Sequence, residues 1–231
     1  MKILGLIPAR GGSKVLPGKN VMKFAGKPLI AWTIDASKES GILDRVIVST
    51  DCPEIARISR EYGAETPFMR PEELSRDHSP AMPFIIHALK WMMENENYAP
   101  DCLMLLQPTS PLRNSQDIVN SVDLMRREGS DSVISVCEPA VHPYHSKQIN
   151  DEGYIDNLVG RSENVPRQKL PKAYILNGAI YLVRTTVLID KETLYPPKTS
   201  AYIMPQERSI DIDNEIDFRI AEFIAREIIP K

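Results

Sequence analysis

Apolar and polar positions along the chain alternate with two different periods. Short runs rich in branched apolar side chains occupy residues 3–7 (ILGLI), 45–50 (RVIVST), 102–107 (CLMLLQ) and 131–137 (DSVISVC), and they read as buried strands. Between them, residues 28–37, 53–62, 81–94 and 115–127 carry apolar positions at helical spacing, with Pro28 and Pro53 suited to first-turn positions. Strand and helix alternating in this way predict an α/β fold: a largely parallel sheet covered by helices on both faces. Ligands of such sheets sit beyond the carboxyl ends of the strands.

From residue 138 the texture changes. The stretch EPAVHPYHSKQINDEGYIDNLVGRSENVPRQKLPKAY is rich in Pro, charge and turn residues, and reads as an excursion from the sheet over about 138–172, with a hairpin around Asn150 to Gly153. The alternation resumes at 175–183 (ILNGAIYLV) and 201–204 (AYIM), and a closing helix is expected from 214 to about 227. There is no internal repeat and no low-complexity segment, so 1–231 is expected to be a single domain with this appendage.

Composition narrows the function classes. With 42% apolar and 26% charged residues the chain has the make-up of a soluble globular protein. A net charge of -3 argues against a general nucleic-acid binder, which needs a large excess of cations over a whole face. The three cysteines, Cys52, Cys102 and Cys137, are odd in number and form no CxxC pair, which disfavours a disulfide framework or a zinc site. The apolar run after Met1 breaks at Pro8, far short of a signal peptide or a membrane span. A cytoplasmic chain with no membrane partner is expected.

Within this near-neutral chain one loop stands apart. Residues 7–20 read IPARGGSKVLPGKN, and Lys2, Arg10, Lys14, Lys19, Lys23 and Lys27 all precede the first acid, Asp35. A glycine-rich turn directly after a first strand lets backbone N–H groups surround phosphate oxygens, so Arg10, Ser13, Lys14 and Lys19 are candidate phosphate ligands. It is not an ATPase P-loop: Ser13 stands where that motif requires glycine, and Asn20 follows Lys19 in place of Ser or Thr. No GxGxxG is present either, and no GxSxG or convincing cysteine–base pair supports covalent catalysis.

Other candidates lie further along. Gln107 ends an apolar strand, where a polar side chain meets a ligand or simply forms the turn stiffened by Pro108 and Pro111. Asp211 and Asp213 flank Ile212; on an extended segment both carboxylates face one side, and a Mg²⁺ ion joining them to phosphate oxygens would relieve their repulsion. The competing reading makes Asp213 or Asn214 the cap of the final helix, with Asp217 structural. Arg167 and Gln168 in the excursion are ordinary solvated positions, unless the ligand carries a carboxylate that arginine clamps through two parallel bonds; Lys147 is a weaker candidate of the same kind.

The loop at 7–20 resembles the signature of the sugar-acid cytidylyltransferases, and LLQPTSPLR at 105–113 resembles the second signature of their acylneuraminate branch, the CMP-sialic and CMP-nonulosonic acid synthetases. RQKLPKAYILNGAIYLV at 167–183 and SIDIDNEIDF at 209–218 are similar to two further blocks in the family's order. The resemblance implies a nucleotide-diphospho-sugar-transferase-like, Rossmann-like sheet and a Mg²⁺-dependent enzyme that transfers CMP from CTP to a nine-carbon 2-keto sugar acid. It implies CTP contacts at Asn20, Arg70, Ser79 and Gln107 besides the loop cations, and a sugar contact at Arg167, beside which Gln168 and Lys147 stand as further sugar-binding candidates. Catalytic roles are expected for Arg10, Lys19, Arg167 and Asp211, and the chemistry of a metal-eased hydroxyl makes Asp211 the candidate for an assisting proton acceptor. A homodimer is also implied, with the excursion reaching towards the other subunit's site. The alternatives are a CMP-Kdo synthetase and a GT-A-like glycosyltransferase using Asp211 and Asp213 as its DxD pair.

Overall fold

The computed structural model of the chain describes residues 1–159 and 167–227, with only the backbone of Arg167 included. Strand β1 (Ile3–Pro8) is buried on both faces, which is why its apolar residues run without a break. A short ribbon, β2 (Lys23–Phe24) and β3 (Lys27–Pro28), leads into α1 (Leu29–Glu39), followed by β4 (Arg45–Ser49) and α2 (Pro53–Glu61). Next come α3 (Ala81–Asn95), β5 (Cys102–Leu105), α4 (Ser115–Glu128) and β6 (Ser132–Cys137). The excursion carries β7 (Lys147–Ile149) and β8 (Ile155–Asn157), and the chain closes with β9 (Ile175–Arg184), α5 (Thr185–Lys191), β10 (Thr199–Ile203) and α6 (Glu215–Glu227).

Six strands form one sheet in the order β10-β6-β9-β5-β1-β4. β1 runs parallel to β4 and β5, and β10 parallel to β6. β9 is antiparallel to both its neighbours, so the sheet is mostly parallel but mixed. The reversal has a simple cause. The excursion leaves from the carboxyl end of β6 and returns at the same end, so no crossover helix brings the chain back to the start of the sheet.

Side chains of each strand divide by the two-residue period. Ile3, Ile7, Val48 and Met104 face Ile30 and Ile34 of α1, Ile55 and Ile58 of α2, and Ile118, Val122 and Met125 of α4. Leu4, Leu6, Ile47 and Leu105 face Ile85, Leu89 and Met92 of α3 and Leu188 of α5. Helices therefore cover both faces, as expected. A third cluster joins Phe218, Ala221 and Ala225 of α6 to Phe24, Leu29, Leu112 and Ile212, which fastens the last helix beside the first loop.

Several expectations need correction. Pro28 is the N-cap of α1 with extended backbone, not a first-turn residue, whereas Pro53 does open α2. β5 stops at Leu105 and β4 at Ser49, because the chain turns away to build the loops beyond the sheet. β10 begins at Thr199, and α5 and the β2–β3 ribbon were not anticipated: α5 is seven residues long, too short to display a helical period. The hairpin around Asn150 is present as a separate two-stranded ribbon, with Gly153 N–H donating to the Asn150 carbonyl at 2.9 Å. Among the described residues no helix is long and apolar enough to cross a membrane.

One buried charge ties the late segment to the sheet. Asn114 and Asp117 form a reciprocal capping box at the start of α4. Asp117 also receives two bonds from the Arg208 guanidinium, at 2.8 and 3.1 Å, and one from the Tyr202 hydroxyl at 3.0 Å. Asp117 is 1% exposed and Arg208 27%, so removing the acid strands a partly buried cation and loses the reciprocal half of the capping box, while the Asn114 cap remains. Asp117→Ala is expected to lower unfolding free energy by about 3 kcal/mol in urea titrations, most of it from the Arg208 cation left without its partner. A loss under about 1 kcal/mol would mean that Arg208 finds solvent without cost.

Candidate active site

The loops beyond the carboxyl ends of β1 and β5, the segment between α2 and α3 and the stretch before α6 line a cleft of about 400 Å³. Arg10, Ser13, Lys19 and Asn20 line it from the first loop, and Arg70 and Ser79 from the segment after α2. Gln107, Asp211 and Asp213 close the opposite side. Lys14 lines an adjoining groove with Arg10 and Ser13. The volume falls within the usual range for small-molecule sites, roughly 300 to 1,000 Å³.

The first loop is held from below. Gly11 N–H donates to Asp51 Oδ1 at 2.8 Å, and a Cβ at Gly11 would stand 2.9 Å from Cys52 Cβ, so only glycine allows this approach. Asn20 is buried and its Nδ2 donates to the Arg10 carbonyl at 3.1 Å, so in this state it braces the loop. Lys19 reaches across the cleft: its Nζ donates to the Ile212 carbonyl at 2.7 Å, between the two aspartates. Burial pulls the Lys19 pKa down, opposed by the carboxylates of Asp213 and Asp211.

An acid that sequence reading passed over occupies the loop's cations. Asp77 pairs with Arg10 and, at 2.5 Å, with Lys14, and these two bonds hold its carboxyl below the usual carboxylate range. A carboxylate seated between two loop cations is what an anion-binding site offers to an anion of its own chain.

Across the cleft, Gln107 emerges just past β5. Its carbonyl accepts from Ser110 N–H at 3.3 Å, and the buried Arg113 guanidinium clasps the same loop through the carbonyls of Ala179 at 2.9 Å and Ser110 at 3.3 Å. The loop packs on Gly178, whose φ of +71° suits glycine. A Cβ there would lie 2.6 Å from Gln107 Oε1 and 3.2 Å from Asp211 Oδ2, so Gln107 and Asp211 meet over a bare patch of backbone.

In the acidic segment the cap of the final helix and the acidic pair fall on different residues. Ile212 is fully buried, with Asp211 and Asp213 on either side of it in sequence. The cap of α6 is Asn214, which accepts from the N–H groups of Ile216 at 2.8 Å and Asp217 at 3.1 Å, while Asp217 accepts from Asn214 N–H at 3.1 Å. Asp217 is thus structural, and capping does not require the Asp213 carboxylate. Burial pushes the Asp211 carboxyl up, offset in part by the Thr109 hydroxyl. Asp211 Oδ1 is buried without a hydrogen-bond partner, an orphaned acceptor that a cation would satisfy. The described residues hold no group of three or more metal-ligating side chains, so an ion here would draw its remaining ligands from substrate and water.

Arg70 is a buried arginine. Its guanidinium bonds the Ser49 hydroxyl at 2.9 Å and stacks 4.4 Å from the Phe84 ring centre, and burial lowers its pKa to about 10. Ser79 donates to the Glu73 carbonyl at 2.9 Å. Among the described side chains, Lys147 and Gln168 of the excursion do not line this cleft. Lys147 lies exposed on β7, bonded to Asn157, and Gln168 lines a separate groove with Glu138 and His142. The side chain of Arg167 lies outside the described residues. Sequence reading also missed Thr109, Gly178 and Asn177; an isolated glycine in the strand pattern ILNGAIYLV was the one available signal, since it marks a bulge or close approach.

Residues 4–198 match the family described as Cytidylyltransferase, and the chain belongs to that family. It is 36% identical to the CMP-N,N'-diacetyllegionaminic acid synthase of Legionella pneumophila, over 96% of this chain and 95% of that one. It is 36% identical to an N-acylneuraminate cytidylyltransferase of Streptococcus agalactiae, covering 94% of this chain but 52% of that protein. It is 30% identical to the pseudaminic acid cytidylyltransferase of Campylobacter jejuni, over 97% of this chain and 96% of that one. Among solved structures, a CMP:2-keto-3-deoxy-manno-octonic acid synthetase complexed with CTP superposes with a TM-score of 0.74 over 99% of this chain and all of that one, at 17% identity, which shows the shared fold.

The Asp77 bridge yields a test of the anion site that needs no turnover. Asp77→Asn removes the competing carboxylate and leaves Arg10 and Lys14 free, so inorganic pyrophosphate should bind severalfold more tightly by calorimetry, most visibly at low salt. Unchanged or weaker binding would show that Asp77 arranges the two cations instead of occupying them.

Proposed function

We propose that this chain transfers CMP from CTP to the anomeric hydroxyl of a nine-carbon 2-keto sugar acid of the sialic, legionaminic or pseudaminic type, releasing pyrophosphate. The observation that carries this reading is a single cleft in which loop cations face a strand-end glutamine and an acidic pair. The family match narrows the chemistry to cytidylyl transfer, and the named relatives act on three different nonulosonic acids at 30–36% identity, which supports the sugar class without choosing among its members.

In this reading Arg10, Ser13, Lys14 and Lys19 receive the triphosphate, with Lys14 and Arg10 released from Asp77. Gln107 and Asn20 contact the nucleoside, and Arg70 and Ser79 support it. The sugar hydroxyl oxygen attacks the α-phosphorus, the bond to the β-phosphate's bridging oxygen breaks, and pyrophosphate leaves against the loop cations. The hydroxyl proton passes to the Asp211 carboxylate, whose burial favours the protonated form. Asp211 and Asp213 are the residues that would hold Mg²⁺, which supplies charge neutralisation at the α-phosphate and eases loss of the hydroxyl proton.

The sugar carboxylate is assigned to Arg167, with Gln168 and Lys147 beside it. Because Lys147 and Gln168 lie apart from the cleft of their own chain, a homodimer that brings the excursion to the partner's cleft fits the reading. The exposed Ile149, Tyr154, Ile155 and Leu158 on the same ribbon give such a contact its apolar surface. A cytoplasmic location fits three cysteines that are all free. The alternatives, a CMP-Kdo synthetase and a glycosyltransferase using Asp211 and Asp213, have less support: the likeness to the octonic acid synthetase is at the level of fold, and the family match is to cytidylyltransferases.

The test is pyrophosphate release with CTP and Mg²⁺ across a panel of sialic, legionaminic, pseudaminic and eight-carbon acids. CTP should be used far better than UTP, ATP or GTP, with one nine-carbon acid preferred. Asp211→Asn should remain folded and lose about 10²-fold or more in turnover. Equal use of UTP, or transfer from a CMP-sugar to a glycan with no pyrophosphate, would overturn the reading.

A further inference from the structure

Beneath the cleft, β9 departs from regular pairing. Its register against β6 shifts between Ile134 and Val136, where Ile134 lies opposite Tyr181 and Val136 opposite Leu176. The Ser135 side chain fills the gap, accepting from Ile180 N–H at 2.7 Å. Asn177 sits inside this bulge, 2% exposed, with its amide fully engaged. Its Oδ1 accepts from the Ser135 hydroxyl at 2.6 Å and from Ala179 N–H at 3.3 Å. Its Nδ2 donates to Ser209 Oγ at 2.9 Å and approaches Met204 Sδ at 3.3 Å. Its main-chain carbonyl accepts from the Ser110 hydroxyl at 2.9 Å.

These bonds lead to the two sides of the cleft. Ser110 closes the turn that begins at Gln107. Ser209 stands two residues before Asp211, its own hydroxyl shared with the Pro205 carbonyl at 2.7 Å. Arg113 also fastens the Gln107 loop to β9, through Ala179, but it is not among the bonds that reach the Asp211 segment. Arg208 fastens that segment to Asp117, away from the Gln107 loop.

We propose that Asn177 is a positioning residue that sets the spacing between Gln107 and Asp211, through Ser110 on one side and Ser209 on the other. The inference rests on the reading of Gln107 as a nucleoside contact and Asp211 as a Mg²⁺ carboxylate. Asn177 holds the Ser110 side by its main-chain carbonyl and the Ser209 side by its buried amide, whose donors and acceptor are all committed and fix one orientation, so the two segments inherit one separation.

The test cuts each arm by itself. Ser110→Ala, Ser209→Ala and Asn177→Ala are compared with Ser132→Ala, which removes a buried hydroxyl bonded to the Leu182 and Leu194 carbonyls. Three quantities are read: melting temperature, CTP affinity by calorimetry without sugar and with or without Mg²⁺, and the Mg²⁺ concentration giving half-maximal turnover. Ser110→Ala should weaken metal-free CTP binding about three- to tenfold, the effect of one hydrogen bond, and leave the Mg²⁺ requirement unchanged. Ser209→Ala should leave metal-free CTP binding unchanged, while the Mg²⁺-dependent gain in CTP affinity shrinks and the Mg²⁺ requirement rises about three- to tenfold. Asn177→Ala keeps the main-chain carbonyl that Ser110 bonds and loses the amide that Ser209 bonds, so it should reproduce the Ser209→Ala response, and adding Ser209→Ala to it should move the Mg²⁺ requirement no further. If these variants only melt earlier, as Ser132→Ala does, with CTP and Mg²⁺ behaviour intact, Asn177 is purely structural and the proposal fails. Should Asn177→Ala not fold, the separate responses of the two serine variants decide. A wild-type protein that does not bind CTP would instead overturn the functional reading, and this inference with it.

Discussion

The close approach at Gly178 is the constraint around which the cleft is organised. Two segments far apart in sequence, the loop after β5 and the stretch before α6, place Gln107 and Asp211 against a residue with no side chain. The left-handed backbone there lies within the register shift of β9 against β6, so the two are one distortion. Lys19 completes the closure by bonding the carbonyl between the two aspartates, and Ile212, buried between them in sequence, anchors the segment in the cluster shared with α6. Polar groups are thus held at the rim of a hydrophobic framework.

Charge is arranged in the cleft as deliberately as shape. The net charge of -3 conceals a first loop whose cations Arg10 and Lys14 pair with Asp77, an acid from a distant segment. Opposite that loop, Asp211 and Asp213 put negative charge within reach of Lys19. A ligand that enters such a site must satisfy both signs at once. A triphosphate accompanied by a divalent cation does so, whereas an anion alone would meet the two carboxylates unscreened.

Much of this was legible in the chain itself. The alternation of strand and helix, the cation-rich glycine loop, the acidic pair around Ile212 and the hairpin near Asn150 follow from local spacing, and local spacing is what a sequence displays directly. The antiparallel course of β9 does not, since it depends on where a long excursion returns to the sheet. Nor does the pairing of Asp77 with Arg10 and Lys14, which lies across 67 residues from Arg10 and has no periodicity to announce it. Burial of Arg70 was invisible for a similar reason: MRPEELSRDHS reads as surface, and only the packing of Phe84 and the end of β4 encloses it. The resemblance to the cytidylyltransferases compensated where physics ran out, by pointing to Arg70, Ser79 and Asn20 before their surroundings were known.

The central claim is that Gln107 and Asp211 act together across the bare backbone of Gly178, and the most direct measurement is CTP binding and turnover by Gly178→Ala. The left-handed backbone should cost roughly 1 to 2 kcal/mol of stability, so the variant should fold and melt somewhat earlier. Its methyl would stand 2.6 Å from Gln107 Oε1 and 3.2 Å from Asp211 Oδ2, which forces at least one of them to move. The account predicts weaker CTP binding and turnover lower by about 10²-fold, the effect of misplacing a reacting group by about an ångström. A folded Gly178→Ala protein with wild-type CTP affinity and turnover would contradict it, because the two side chains would then work without the approach that this glycine permits.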